Sequence, residues 1–310
     1  MIHTVTLNPA IDKLLFLPDF KKNVTNRLCL DNDSIGGKGT HVSINLKALG
    51  IDNTAFGIAF GETGAKIIKM LEQNNVDVKF LYKEEQNSRT NYLVIEDNGN
   101  CSTLASRGVL LEKDIIDEFI SLLLENLKEN DSLILSGDTS NCFDSCVYNY
   151  ILNALRERKI KVFLDASGPS LKECLKESPF LIKPNLDELS QLCGHNLESM
   201  PEIISAIESL SQYNIEIIAV SMGGDGSLVK TPEGIYQITP PDIVVRNTIG
   251  CGDCYLSGLI YGIEMKYPIE KTLKLATAIS AATAESEYSV GFNLQRAGEL
   301  EQKVEITKIR

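Results

Sequence analysis

Ser132-Leu133-Ile134-Leu135-Ser136, a helical run from Ser145 to Glu157, and Lys161-Val162-Phe163-Leu164-Asp165 together decide the fold. Both apolar runs are short and end in polar residues, so they suit strands buried on both faces. Upstream, Glu112 to Lys128 is a long helix feeding the first of them. Further out, Ile2 to Leu7 and Ala55 to Phe60 are strands. Gly39 to Leu49 is a helix with Val42, Leu46 and Leu49 on one stripe and Gly50 as its stop. Gly64 to Gln73 is a helix with Ile67, Ile68 and Leu71 inward. Downstream, helices at Ser170–Glu177, Asp187–Cys193 and Pro201–Tyr213 alternate with strands at Phe180–Lys183 and Ile215–Ser221. Two helices, Asp253 to Met265 and Ile269 to Ser286, follow. The pattern predicts the α/β class: a mostly parallel sheet covered by helices on both faces.

Two regions break the rhythm. Ile11 to Ile35 and Lys79 to Thr103 lack a helical period, and Tyr92 to Asn100 suits a hairpin strand with an Asp-Asn-Gly turn. They predict a small β-sheet, either a lid over a site or an edge extension of the main sheet. No linker, repeat or low-complexity tract divides the chain. One domain over 1–310 is expected, with the small sheet built from about 12–35 and 79–104.

Composition narrows the function classes. The net charge of −12 opposes binding to nucleic acid or an anionic membrane surface. No apolar run approaches the roughly 18 residues of a membrane span. Met1 to Leu7 lacks the basic region and long apolar core of a signal peptide, so a cytoplasmic location is expected. The eight cysteines are scattered, which suits free thiols. Cys251-Gly-Asp-Cys254 is formally a C-x-x-C pair, and Cys142 and Cys146 could add two zinc ligands. Both uses stay open, although redox pairs of this kind usually lie early in the chain.

The chemistry concentrates in Asn247-Thr248-Ile249-Gly250-Cys251-Gly252-Asp253-Cys254. Gly250 and Gly252 let a ligand approach the backbone, and a helix starting here aims unpaired N–H groups at an anion. Asp253 beside such an anion suits proton abstraction during phosphoryl transfer. The alternative is a plain turn with Asp253 capping a helix.

Other strand ends are polar too. Asp12 follows the first strand, and Gly36-Gly37-Lys38-Gly39 precedes a helix without forming a Walker A loop. Ser136-Gly137, Asp165-Ala166-Ser167-Gly168 and Lys183-Pro184-Asn185-Leu186-Asp187-Glu188 end further strands. Asn185 and Glu188 lie one helical turn apart, which suits either a hydrated Mg²⁺ or a capping box. Ser221-Met222-Gly223-Gly224-Asp225-Gly226 permits close approach of a nucleotide, or makes a tight turn. Six polar strand ends at one edge of a sheet point to an enzyme site.

These motifs resemble the ribokinase-like carbohydrate kinases of the PfkB family, in the branch holding 1-phosphofructokinase and tagatose-6-phosphate kinase. The similarity rests on Thr6-Leu7-Asn8-Pro9-Ala10-Ile11-Asp12, Gly36-Gly37-Lys38-Gly39, Ser88-Arg89-Thr90-Asn91 and Leu164-Asp165-Ala166-Ser167-Gly168. It continues through Lys183-Pro184-Asn185-x-x-Glu188, Ser221-x-Gly223-x-x-Gly226 and Asn247-x-x-Gly250-Cys251-Gly252-Asp253. The resemblance implies a three-layer α/β/α fold with a small β-lid, ATP and Mg²⁺ as cofactors, and pairing of two copies through the lid. It implies Asp253 as catalytic base, with Gly250, Cys251 and Gly252 as the anion hole. It implies Asp12, Gly37, Lys38, His41, Arg89, Asn91 and Ser136 on the sugar. Lys183, Asn185, Glu188, Ser221, Gly223 and Gly226 would serve the nucleotide, with Asn185 and Glu188 reaching Mg²⁺ through water.

The chain departs from that branch at three places. His41 stands where Asn is usual and Ile44 where Arg is common, while Asp138-Thr139-Ser140-Asn141-Cys142 replaces Ser-Leu-Pro-x-Gly. Asp138 would repel a phosphate on the acceptor, and Arg107 is a candidate for compensating charge. The expected activity is ATP-dependent phosphorylation of fructose 1-phosphate or tagatose 6-phosphate to the bisphosphate. The alternatives are a kinase of an unphosphorylated sugar or nucleoside, and a non-catalytic sugar-phosphate sensor.

Overall fold

The computed structural model describes residues 1–310. The chain opens with β1 (Ile2–Thr6), β2 (Ala10–Leu17), β3 (Leu30–Gly36) and α1 (Lys38–Ala48). Then come β4 (Asn53–Phe60), α2 (Gly61–Gln73), β5 (Asp77–Lys83), β6 (Arg89–Glu96) and β7 (Cys101–Leu104). Its middle alternates: α3 (Lys113–Asn126), β8 (Ser132–Ser136), α4 (Val147–Leu155), β9 (Lys161–Asp165), α5 (Gly168–Cys174) and β10 (Leu181–Ile182). Next are α6 (Leu186–Cys193), α7 (Met200–Ser209) and β11 (Ile217–Ser221). The last part holds β12 (Ser227–Thr231), β13 (Gly234–Thr239), α8 (Cys251–Glu264), α9 (Ile269–Ala284), α10 (Leu294–Glu301) and β14 (Glu305–Lys308).

Ten strands form one sheet in the order β14-β13-β12-β11-β10-β9-β8-β1-β4-β5. From β11 to β5 all neighbours are parallel, while β12, β13 and β14 add an antiparallel edge. The strand period of two sends alternate residues into different layers. Leu133, Leu135, Val162, Leu164, Ile182 and Ile218 pack with α3, α4, α6 and α7 on one face. Ile134, Phe163, Leu181 and Ile217 pack with α1, α8, α9 and α10 on the other. The expected covered, mostly parallel sheet is therefore present, as three layers.

The predicted elements recur with shifts of a few residues, and three differences have physical causes. First, the stretch 79–104 does not go wholly to the small sheet: Lys79 to Lys83 lie in β5, which pairs with β4 at the edge of the large one. Its half-buried alternation reflects that edge position. The small sheet runs β3-β2-β6-β7, with the β6–β7 hairpin turning at Asp97-Asn98-Gly99. Second, the sequence pattern did not announce β12, β13, α10 and β14. The Pro232-Glu233-Gly234 turn between two alternating runs was the available signal.

Third, α1 is buried on every side rather than along one stripe. It is enclosed by β1, β4 and α8, so its polar side chains find partners inside. Thr4 and Ser43 hydroxyls meet at 2.6 Å. Asn45 donates to Cys254 Sγ at 3.1 Å and accepts from the Gly291 N–H at 3.0 Å. Each such bond offsets the cost of burying a polar group, typically about 1–3 kcal/mol when left unmade. Helix α8 packs equally close on α9: a Cβ at Gly258 would lie 2.5 Å from Ala276 Cα. That contact places the N-terminus of α8 against the carboxyl ends of the central strands. No helix is long and apolar enough to cross a membrane.

Candidate active site

A cavity of about 400 Å³ opens at those carboxyl ends. β1, β8, β9 and β11 deliver Thr6, Ser136, Asp165 and Ser221 to it, and the turn after β10 delivers Lys183 and Asn185. The start of α1 adds Gly37, Lys38 and His41, β6 adds Arg89, and the start of α8 adds Gly250, Gly252 and Asp253. Only two of its 19 lining residues are hydrophobic, so it suits a polar, charged ligand.

The α8 end is built by Gly250. Its φ of 76° is left-handed, and a Cβ there would fall onto the Ser289 carbonyl, so only glycine makes this turn. Cys251, Gly252 and Asp253 then occupy the first helical turn. The Cys251 N–H reaches the Thr248 carbonyl at a long 3.4 Å, while the Gly252 and Asp253 N–H groups meet no acceptor within the protein. Free N–H groups at a helix start make an anion cradle.

Asp253 is 6% exposed and forms part of the cavity wall. Its Oδ2 lies 2.7 Å from His41 Nδ1, and Oδ1 makes no hydrogen bond to the protein. Asp253 is therefore an acceptor at the cradle's edge rather than the N-cap of α8, a position taken by Gly250. His41 Nε2 donates to the Ile35 carbonyl at 2.8 Å, so both ring nitrogens are used internally.

Charge is balanced across the cavity by Asp165. Its carboxylate is inaccessible to solvent, with Oδ1 accepting from Lys38 Nζ at 3.1 Å and lying 3.4 Å from Lys183 Nζ. Burial pushes this carboxyl up, but the two ammonium groups outweigh burial and hold it below its usual range. Lys183 also lies over Gly252, within 3.5 Å of where a Cβ would be. Sequence reasoning gave Asp165 no role, because its two lysines stand 127 and 18 residues away.

Asn185 and Glu188 form the capping box of α6: the Asn185 side chain accepts from the Glu188 N–H, and Glu188 Oε2 accepts from the Asn185 N–H, both at 2.8 Å. Glu188 Oε1 remains free of protein partners at the cavity. One free carboxylate oxygen beside a fixed amide suits a cation that keeps most of its waters. The cap and the cation site are thus compatible.

A second cavity of about 680 Å³ adjoins the first through Asn185, Ser221 and Gly252. Gly223, Gly226 and Cys251 lie along it, as do apolar Ile243, Val245 and Ala281. A polar chamber joined to a more apolar one matches a phosphate chain continuing into a flat ring.

Two expected substrate residues are absent from both cavity walls. Asp12 and Asn91 pair with each other across β2 and β6, Asn91 Nδ2 donating to Asp12 Oδ1 at 2.8 Å. Both are buried beside the site. Arg89 does reach the cavity, where it donates to the Asn8 carbonyl at 3.1 Å and to Asp138 Oδ2 at 3.4 Å. Asp138 also accepts from Asn8 Nδ2 at 3.2 Å. Arg107 is not part of the cavity wall, although its carbonyl accepts from Asn8.

The cysteines bear on the redox and zinc alternatives. Burial pushes the Cys251 and Cys254 thiols up to about 12, the opposite of a reactive dithiol. All eight cysteines are free thiols, and no three His, Cys, Asp or Glu side chains cluster as a metal site.

Known proteins resemble this chain in sequence and in fold. The chain is 31% identical to a 1-phosphofructokinase of Bacillus subtilis over 287 residues, covering 93% of each chain. It is 31% identical over 312 residues to a tagatose-6-phosphate kinase of Staphylococcus epidermidis, covering 100% of both. Its fold superposes on phosphofructokinase-2 from Escherichia coli, solved with substrates and products, with a TM-score of 0.91. That match covers 97% of this chain and 98% of the other at 22% identity, and it speaks for the fold alone. The family described as pfkB family carbohydrate kinase matches residues 8–294. The chain therefore belongs to the pfkB family of carbohydrate kinases, enzymes that use ATP as co-substrate.

Proposed function

We propose that this enzyme transfers the γ-phosphoryl group of ATP to a hydroxymethyl group of a phosphorylated ketohexose, fructose 1-phosphate or tagatose 6-phosphate. The relatives bearing those activities are similar along nearly the whole chain. One observation carries the chemistry: the free Oδ1 of Asp253 stands beside the unpaired Gly252 and Asp253 N–H groups. The acceptor oxygen forms a bond to the γ-phosphorus as the bond to the bridging oxygen of ADP breaks. Asp253 takes the hydroxyl proton. The two N–H groups and Lys183 stabilise charge on the moving phosphoryl group. Gly250 and Cys251 hold that cradle in shape. Asn185 and Glu188 are the residues that would hold Mg²⁺, which when bound would neutralise charge on the phosphates.

Ser221, Gly223 and Gly226 line the nucleotide's path, and Gly37, Lys38 and Ser136 face the sugar. Asp12 and Asn91 brace the small sheet beside the acceptor from behind the cavity wall. Exposed Leu28, Leu30, Tyr92 and Leu104 on and beside that sheet support pairing with a second copy, which light scattering on the purified protein tests.

A second reading has its own support. Asp138 already partly neutralises Arg89, the only arginine on the cavity wall, which favours an acceptor without a phosphate. A coupled ADP-release screen of ketohexoses with and without phosphate separates the two. For the base, Asp253→Asn is expected to fold, bind ATP and lose about 10³-fold or more in kcat. Near-normal turnover in that variant removes Asp253 from its role.

A further inference from the structure

Asp253 has a partner that the phosphoryl-transfer scheme does not use. His41 is buried in α1, 212 residues earlier, and its ring spans the gap between the carboxylate and the end of β3. The Ile35 carbonyl bears no proton, so Nε2 must carry one and donate it. A single further proton then lies in the 2.7 Å bond between Nδ1 and Oδ2. On the ring it makes an imidazolium facing a carboxylate; on the oxygen it leaves a carboxylic acid unable to act as a base.

We propose that His41 is a positioning residue for Asp253: as an imidazolium it donates to Oδ2, fixes the carboxylate's orientation, and leaves Oδ1 for the acceptor hydroxyl. This rests on the assignment of Asp253 as the base. Ordinary proton affinities favour the ring, since imidazole binds a proton more tightly than carboxylate by about 2.5 pKa units. The surroundings agree. Burial disfavours the charged ring, but the hydrogen bond to Asp253, its charge, the Ile35 carbonyl and Asp12 together hold the His41 pKa above its usual value. The charged groups around it are Asp253 on α8 and Asp12 on β2, with Lys38 on its own helix acting on Asp253 and Arg89 on β6 acting on Asp12.

His41 cannot relay the proton onward. Its outer nitrogen is already protonated and ends on a carbonyl, so the proton taken from substrate must leave from Oδ1. What the ring supplies is orientation and charge. Once Nδ1 loses its proton, a lone pair faces the carboxylate and the bond fails. Activity should therefore fall on the alkaline side as His41 titrates.

The test uses the resting 310-residue protein and two variants. The chain has three histidines, so ¹⁵N-labelled protein resolves the ring signals, and those of His41 are identified by their loss in His41→Asn. Both His41 nitrogens are expected to be protonated at pH 7. A neutral ring there overturns the proposal whether or not any sugar is turned over, whereas an active Asp253→Asn would instead sink the base assignment. In kinetics, His41→Asn keeps a donor to Asp253 and should stay within about tenfold in kcat, without the alkaline limb. His41→Leu, lacking any donor, should lose about 100-fold in kcat while acceptor KM stays within about threefold. A raised KM with unchanged kcat would mean that His41 serves the sugar directly, and an alkaline limb surviving in His41→Asn would equally refute the proposal.

Discussion

Replacing Asp165 with Asn probes the charge balance on which the cavity depends. The substitution keeps shape and one acceptor oxygen but removes the negative charge that faces Lys38 and Lys183. Breaking a buried ion pair by neutralising one partner costs about 3–5 kcal/mol. Lys38 is 41% exposed, so water replaces much of its share, whereas Lys183 at 5% has no such recourse. The lower end, about 3 kcal/mol, is therefore expected. Unfolding entropy of roughly 2.1 cal/mol/K per residue gives about 0.65 kcal/mol/K for this chain, so Tm should fall about 5 °C. Calorimetry at pH 7 reads that shift. The sign with pH is also set. A carboxyl held below its unfolded value stabilises above the usual carboxylate range and loses that contribution as pH falls through the folded value. The gap between wild type and Asp165→Asn should be full at neutrality and shrink under acid. A shift below about 1 °C, or a gap unchanged by acid, would refute the reasoning.

Three further expectations follow from single features. Gly258→Ala gains about 1 kcal/mol of helix propensity, but its Cβ would sit 2.5 Å from Ala276 Cα. Overpacking of about 1–3 kcal/mol should win, lowering Tm and kcat together, and a raised Tm would show that α8 and α9 can part freely. The two buried histidines should shape stability in opposite directions. Burial depresses His3 despite Asp131, so its contribution is complete above pH 6.5 and is lost as pH falls below it. His41 is raised, so its contribution is complete below pH 6.5 and is lost as pH rises through its folded value, a loss that melting curves of His41→Asn should lack. Serine at both Cys251 and Cys254 should leave turnover within about threefold, because neither thiol is poised to ionise; abolished activity would revive the redox alternative.

Much was legible along the chain because the informative residues are local. Apolar runs such as Ser132 to Ser136 and Lys161 to Asp165 define strands by length and composition alone, since both faces of a central parallel strand are covered. The geometry at the start of α8 was visible for a similar reason: glycine turn, free N–H groups and carboxylate follow one another on its first turn. The edges were harder. β5 alternates like a lid strand because solvent wets one of its faces, and β14 pairs only with β13, which lies far earlier in the chain.

Pairings across layers lay beyond local pattern. Nothing near Asp165 announces that Lys38 and Lys183 converge on it, and nothing in Gly36 to Leu49 shows that His41 pairs with Asp253 at the cavity wall. At Asn185 and Glu188 the capping box uses only one Glu188 oxygen, and only the fold shows that the other faces the cavity. Sequence by itself determined most of the strands and helices and the glycine turn that opens α8, because periodicity and turn geometry act over a few residues. Tertiary structure alone decided which charges neutralise each other, because strands β1, β8, β9 and β10 and helices α1 and α8 bring distant residues within hydrogen-bond reach, where burial makes each pairing count.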